Sequence, residues 1–326
     1  MSPINNLLPN TTQTAIYTRP VRRVDYERIQ ALLQLSLPIT PLGLNWDIRR
    51  WEGKCWYDPH ENGNPDWHKN CQLWETSVGQ LVGLVHSDSL GFPYLEIHPD
   101  YRYLEVEMIA WAEGHLAEPQ ADQKGQQLQF FVYEYDVHRQ HLLAERGYEK
   151  MAYGGVIRHM RLGRQPLERP QLPNGYTLRA TNPENEDDAQ QIADLLNAAF
   201  NRTFHNAQEY QQFTRQATCF RAELDLVAVA ADGRFAAYVG VPYDPVNKRG
   251  LFEPVCTHPD HRQKGLAKAL MQEGLQRLRG LDAIDVVVET GDMVPANRLY
   301  TRMGFTEMYK GNYWLLKTNL VESEQF

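Results

Sequence analysis

Val255-Cys256-Thr257-His258-Pro259-Asp260-His261-Arg262-Gln263-Lys264-Gly265-Leu266-Ala267 is the most informative run of the chain. A β-prone segment ends in a turn, and the turn opens a helix with Gly265 and Ala267 at its mouth. Free backbone N–H groups at a helix N-terminus attract phosphate, and residues as small as Gly and Ala leave the approach clear. Arg262 and Lys264 add positive charge. The segment predicts a phosphate cradle, although a tight turn also takes glycine for steric reasons alone.

Working outward, the run has a counterpart upstream. Residues 97–102 read Ile-His-Pro-Asp-Tyr-Arg and residues 257–262 read Thr-His-Pro-Asp-His-Arg; LLAERGY at 142–148 is matched by LYTRMGF at 299–305. The separations are nearly equal, so two units of one plan are expected. Between them GRQPLERPQLPNG, residues 163–175, has three prolines and no periodicity, which reads as a linker. Domains are expected over 15–163 and 174–320, joined by 164–173.

In the second unit DAQQIADLLNAAF (188–200) places Ile192, Leu195, Leu196 and Ala199 on one helical face. Leu226–Ala231 and Phe235–Val241 flank Asp232-Gly233, a hairpin signal, and LFEPVCT is a third strand. Pro254 has no N–H and marks an edge, bulge or splay in it. A helix follows Gly265, then a β-branched strand over Ile284–Glu289, a helix with Pro295 in its first turn and Gly304 at its end, and two short strands joined at Lys310-Gly311-Asn312. The fold class is mixed α/β, with mostly antiparallel twisted sheets flanked by helices.

On these residues the second unit resembles the GNAT N-acetyltransferase superfamily. Arg262, Gly265 and Ala267 match its Arg/Gln-x-x-Gly-x-Gly/Ala diphosphate motif; Ala296, Leu299-Tyr300 and Gly304-Phe305 match its later motif. The resemblance covers about 145 residues of the second half. It implies two tandem GNAT-like domains and acetyl-CoA or another coenzyme A thioester as co-substrate. The diphosphate would lie on Arg262, Gln263, Lys264, Gly265, Leu266 and Ala267, and the pantetheine arm along Val255, Cys256 and Thr257. It also implies Tyr300 as general acid and the N–H of Val255 or Cys256 as oxyanion donor. Glu253 is the candidate base, with Glu289 in reserve and Asp225 behind it. The family's pantetheine-contacting Asn is replaced here by Met293, so Asn297 or Asp292 becomes the candidate substitute. Cys256 has no assignable partner His and reads as a packing residue rather than a nucleophile.

The first unit reads as a degenerate copy without a coenzyme site. Aligned on the His-Pro-Asp landmarks, Glu105 stands opposite Gly265, Glu107 opposite Ala267 and Pro93 opposite Glu253; Leu143 stands opposite Tyr300. Two carboxylates in place of the cradle oppose a diphosphate. Trp46, Trp51, Trp56, Trp67 and Trp74 crowd one segment, which either walls an acceptor cleft or covers the sheet of its own unit. His98 and His258 are expected to shape the strand-to-helix turns.

The chain has 326 residues with 33 Lys plus Arg against 41 Asp plus Glu, a net charge of −8. That balance argues against nucleic acid and favours a cationic partner such as an amine. Four scattered cysteines without metal spacing suggest a reducing compartment and no metal. No apolar run is long enough for a membrane span, and the opening MSPINNLLPNTTQT lacks the pattern of a secretory signal, so a cytoplasmic location is expected. The expected function is direct acyl transfer from acyl-CoA to the primary amine of a small molecule. Acetylation of a protein N-terminus or lysine, or a non-catalytic acyl-CoA-binding regulatory module, are the alternatives. Retention of Tyr300 and Glu253 speaks against the last, which needs neither.

Overall fold

The computed structural model describes residues 15–61, 63–122, 124–164, 166–291 and 293–319; the N-terminal stretch and Asp292 singled out above lie outside them. The first half contains β1 (Ile16–Pro20), α1 (Tyr26–Ser36), α2 (Ile48–Trp56), β2 (Gln72–Thr76), β3 (Leu81–Ser87) and β4 (Pro93–Ile97). It continues with α3 (Glu105–His115), β5 (Glu118–Pro119), β6 (Gly125–Tyr133), α4 (Val137–Glu145) and β7 (Glu149–Arg161). The second half contains β8 (Tyr176–Ala180), α5 (Glu186–Phe200), α6 (Ala207–Gln216), β9 (Asp225–Ala230), β10 (Phe235–Gly240) and β11 (Tyr243–Asp244). It is completed by β12 (Arg249–Leu251), β13 (Val255–Thr257), α7 (Leu266–Gly280), β14 (Asp285–Thr290), α8 (Val294–Arg302) and β15 (Glu307–Asn319). Among the described residues no helix is long and apolar enough to cross a membrane.

The internal repeat is structural. Antiparallel sheets β1-β2-β3-β4 and β13-β10-β9-β8 answer each other. β4 and β13 each run into a short 3₁₀ turn whose first residue, His98 or His258, accepts a hydrogen bond through Nδ1 from the amide of Asp100 or Asp260. In the second half the apolar face of α5 buries Ala189, Ile192, Leu195 and Leu196 against Val227, Phe235 and Tyr238, as its periodicity predicts. On the other side of the sheet, Leu266, Leu270, Met271, Leu275 and Leu278 of α7 pack on Leu226, Ala237, Val239 and Val286.

The seven-stranded sheet β11-β12-β14-β7-β15-β6-β5 belongs to both halves. β7 pairs with β14, and β15 inserts between β6 and β7. Two short strands joined at Lys310-Gly311-Asn312 are expected from the sequence, but β15 is one strand with a register shift between Asn312 and Trp314. Gly311 is there for close approach: a Cβ would sit 2.5 Å from the Phe131 ring. The segment after β7 lacks regular structure, and its Leu167 and Leu172 pack onto the second core.

α2 joins the halves. The buried Glu52 carboxylate accepts from the Thr218 amide (2.8 Å), the Cys219 amide (2.9 Å) and the Thr218 hydroxyl (2.6 Å). Around it Trp51, Trp67 and Cys55 share one apolar cluster with Phe213, Ala217 and Cys219 of the second half. Of the tryptophan-rich segment, Trp51, Trp67 and Trp74 are core residues, and Trp46 reaches a cavity.

At the first-half counterpart of the cradle the two carboxylates differ, one buried and one exposed. Glu105 is 0% exposed and accepts from Arg102 Nε (2.6 Å) and Arg139 Nε (2.9 Å). Arg102 continues to Asp136, which caps α4. Burial raises the Glu105 pKa, but the two arginines more than offset it and hold the carboxyl at about 2. Glu107 is exposed and accepts from the Trp74 indole (3.0 Å), and Leu143 is a core residue. Glu105 therefore pins α3 to α4. Replacing it by Ala strands buried Arg139, and urea denaturation should show a loss of about 3–5 kcal/mol; a loss below 1 kcal/mol would contradict the pinning role.

Candidate active site

The strand predicted over LFEPVCT divides between two sheets. β12 pairs in parallel with β14, and the last bond on that side runs from the Phe252 amide to Val287 O (2.9 Å). The next amide, Glu253, bonds instead to Gly240 O (3.0 Å), and the Gly240 amide bonds to Pro254 O (3.1 Å). Two residues thus oppose one, which is a β-bulge. A Cβ on Gly240 would lie 2.9 Å from Glu253 O, so glycine makes the bulge possible.

Beyond the bulge, β13 pairs with β10 in the register Val239↔Val255, Tyr238↔Cys256, Ala237↔Thr257. It is the edge of its sheet. The flanking bonds fall at the pairs Gly240/Pro254 and Ala236/His258. Antiparallel alternation then turns Cys256 toward β10 and the backbone groups of Val255 and Thr257 outward. Of the two predicted oxyanion donors, the register favours Val255. Cys256 is buried, its thiol pushed up to about 12 by burial, and it packs with Tyr210 and Tyr238.

At the end of β13 the turn opens into α7. Gly265 has φ +77° and a Cβ there would meet nothing within 4 Å, so the mouth of α7 is open and the conformation suits glycine. Ala269 is the amide that bonds back to Gly265 O (3.0 Å), which leaves the first-turn amides facing outward. Gln263 precedes them with φ 62°. Arg262 donates to Ala199 O (3.0 Å), and Lys264 donates to the Tyr176 hydroxyl (2.9 Å) and Asp260 O (3.2 Å). Leu266 is in the core and Ala267 half-buried. A splayed strand with outward amides and an uncrowded helix mouth fits an extended amide-bearing arm that ends in a diphosphate.

Tyr300 is 5% exposed, in the apolar cluster against which Val255 packs, with its ring centroid 6.2 Å from that of Phe305. Burial pushes its phenol up to about 12 rather than leaving it near 10. Asn297 is directed to its own chain: it accepts from Arg158 Nε (2.8 Å) and donates to Gly291 O (3.0 Å) and Met293 O (3.1 Å).

The three candidate bases stand differently. Glu253 lines a cleft of about 680 Å³ together with Asp225, Tyr238 and Pro254 of the second half and Trp46, Arg49, Arg50 and Tyr57 of the first. Asp225 is fully engaged, accepting from the hydroxyls of Thr181, Tyr210 (2.6 Å) and Tyr238 (2.7 Å); burial raises its pKa against those three bonds. Glu289 on β14 is paired with Arg50. Burial raises its carboxyl, Arg50 opposes this, Asp47 and Glu253 add to the rise, and the result is about 7.

Arg49 and Arg50 were not apparent as site residues from the sequence. They occupy the first turn of α2 behind the cap Asp47, where the helix dipole disfavours cations. That local contradiction is the signal that could have found them.

The Acetyltransferase (GNAT) family model matches residues 189–305. A mycothiol acetyltransferase of Saccharomonospora viridis is 28% identical over 271 residues, which is 73% of this chain and 80% of that one. A streptothricin acetyltransferase of Streptomyces lavendulae is 36% identical over 80 residues, 24% of this chain and 42% of that one. Among solved structures, a tandem GNAT protein from the clavulanic acid biosynthesis pathway superposes with a TM-score of 0.63 at 17% identity, covering 94% of this chain and 100% of that one. A GCN5-related N-acetyltransferase from Sphaerobacter thermophilus gives 0.60 at 20% identity over 94% and 96%. Residues 189–305 match the GNAT acetyltransferase family, and the chain as a whole carries the fold of a tandem GNAT protein.

Proposed function

We propose that the protein transfers an acetyl or short acyl group from acyl-CoA directly to the primary amine of a small molecule held in the cleft between the halves. The observation that carries this reading is the bulge at Glu253-Pro254. It frees the edge of β13 for a coenzyme arm and, at the same residues, delivers Glu253 into the cleft. The cleft is walled by both halves and large enough for a small molecule, which supports a small acceptor over a protein chain. The relatives named for mycothiol and streptothricin point the same way.

The bound thioester supplies an acyl carbonyl open to attack and a thiol leaving group. Glu253 takes the proton of the attacking ammonium, directly or through water, so that the nitrogen lone pair can form the new C–N bond. The outward N–H of Val255 donates to the carbonyl oxygen as negative charge develops there. Tyr300 protonates the sulfur as the C–S bond breaks, and the second proton lost from the nitrogen as the amide forms restores the phenol through water. A phenol held at about 12 stays protonated at neutral pH, as an acid must. Arg50 holds Glu289 beside this set.

Tyr300→Phe should lower kcat by about 100-fold or more with coenzyme affinity retained, read as thiol release from acetyl-CoA across an amine panel. Unchanged turnover at neutral pH would remove Tyr300 from the reaction. Calorimetry should show coenzyme A binding weakened about 10-fold by Gly265→Ala, through backbone strain alone. Gly265→Glu should cost roughly 100-fold, because a carboxylate then also repels the diphosphate. Equal effects of the two substitutions would argue against a phosphate at the mouth of α7.

Glu289 sets a pH dependence of stability. Its folded pKa of about 7 lies above the ordinary carboxyl value of 4.5, so protonation favours the fold. The contribution is full below about pH 4.5 and is lost as pH rises through about 7. Melting curves from pH 5 to 8 should therefore fall more steeply for the native protein than for Glu289→Gln, by a few degrees over the range. Parallel curves would mean that Glu289 is ionised throughout.

A further inference from the structure

The chain is acidic overall, yet its cleft is not. Arg49, Arg50, Lys54, Arg202 and Arg221 line it against Asp88, Asp225 and Glu253. Most of these charges are spoken for. Arg50 pairs with Glu289, Lys54 reaches Ser87 O and Asp88, and Arg221 is bonded to Thr218 O and Phe220 O. Asp225 is enclosed by hydroxyls. Arg202 is exposed, reaches His205 Nε2 (3.4 Å) and lies over the Phe200 and Phe204 rings. Arg49 and Glu253 are the half-buried charges left.

Among the described residues no carboxylate lies within 4.0 Å of the Arg49 guanidinium, and its Nε is buried without a hydrogen-bond partner. Packing holds it instead. Its guanidinium carbon lies 4.5 Å from the centroid of the Phe213 ring and 5.9 Å from that of Tyr57. Gly53, one turn along α2, makes room, since a Cβ there would come within 2.2 Å of Nη1. Stacking uses the face of the guanidinium and leaves its in-plane N–H groups for a partner. Burial opposes the charge, and Glu253 is the neighbour that most offsets this. The Glu253 carboxylate likewise has no hydrogen-bond or ion-pair partner among the described residues, and it faces the same cleft.

A fixed, unpaired cation in the first turn of α2 works against the helix dipole and leaves a buried donor unsatisfied. An acceptor that brings its own anion relieves both. We infer that the acceptor is a zwitterionic amine, whose ammonium faces Glu253 and whose oxyanion group, a carboxylate or a phosphate, is bound by Arg49. The inference rests on the reading of the cleft as the acceptor site. It changes the expected acceptor from a cation to an amine with a compensating negative group.

Full-length protein should be assayed with acetyl-CoA against leucine and phenylalanine, their uncharged amides, and 2-aminoethyl phosphate. Binding of the same compounds is measured by calorimetry with coenzyme A present. A carboxylate or phosphate compound should exceed the amides in kcat/KM by about 10- to 100-fold, the range of one charge-assisted contact. Arg49→Gln should bring that ratio toward one, chiefly through KM, and Arg49→Lys should restore part of it in a protein with unchanged melting. Amides that react as well as the oxyanion compounds overturn the zwitterion inference and leave acyl transfer standing. Arg49-dependent binding of the oxyanion compounds without thiol release does the reverse. If no compound binds or reacts, both are overturned.

Discussion

The hydrogen-bond switch between Phe252 and Pro254 governs the second half of this protein. One amide bonds to β14, the next to β10, and the third position is a proline with no amide to give. A continuous strand would have joined the two sheets and consumed every backbone group along the seam. The bulge instead turns Val255 and Thr257 outward beside β14, and it does so where α7 begins just beyond. The edge is protected from pairing with other chains by its shortness, three residues ending at a proline-containing turn. The open edge, the helix mouth and the placement of Glu253 follow from one local event, which Gly240 and Pro254 together make possible.

The second half could be read almost directly because its signals are local. Periodicity gave the faces of α5 and α7, Asp232-Gly233 the β9–β10 hairpin, and Gly265 the mouth of α7. The sequence also carried the repeat, which the two His-capped turns reproduce in three dimensions. What stayed hidden depends on pairing between distant segments. No local pattern says that β15 threads between β6 and β7, and the glycine that looks like a turn is there because Phe131 lies over it. The partners of Glu105 stayed hidden for the same reason. Alignment placed a carboxylate opposite Gly265, but only the fold brings Arg139 from a different helix to bury it.

The shared sheet and the Glu52 anchor make the first half part of the second half's surroundings. α2 is held against Thr218 and Cys219 by one buried carboxylate and a cluster of aromatic side chains, so the arginines of its first turn meet the second half in a fixed position. Three accepted hydrogen bonds satisfy most of the capacity of Glu52 and compensate its burial. The first half serves as the opposite wall of the cleft.

Net charge says little about the cleft, because charge far from it is screened over a Debye length of about 8–10 Å. The local balance matters more, and there Arg50 pairs with Glu289 and Lys54 with Asp88. Arg50 and Glu289 are bonded to each other, which leaves neither free for a ligand. Arg49 and Glu253 escape such pairing because Phe213 and Gly53 fix the guanidinium while the bulge at Pro254 fixes the carboxylate. Glu253 is the carboxylate that most supports the Arg49 charge, yet no ion pair joins the two. Opposite charges kept apart in a cleft impose an orientation on any amine that carries a negative group. That orientation directs the nitrogen toward the group that can deprotonate it, so the contact with Arg49 positions the nucleophile as well as binding it.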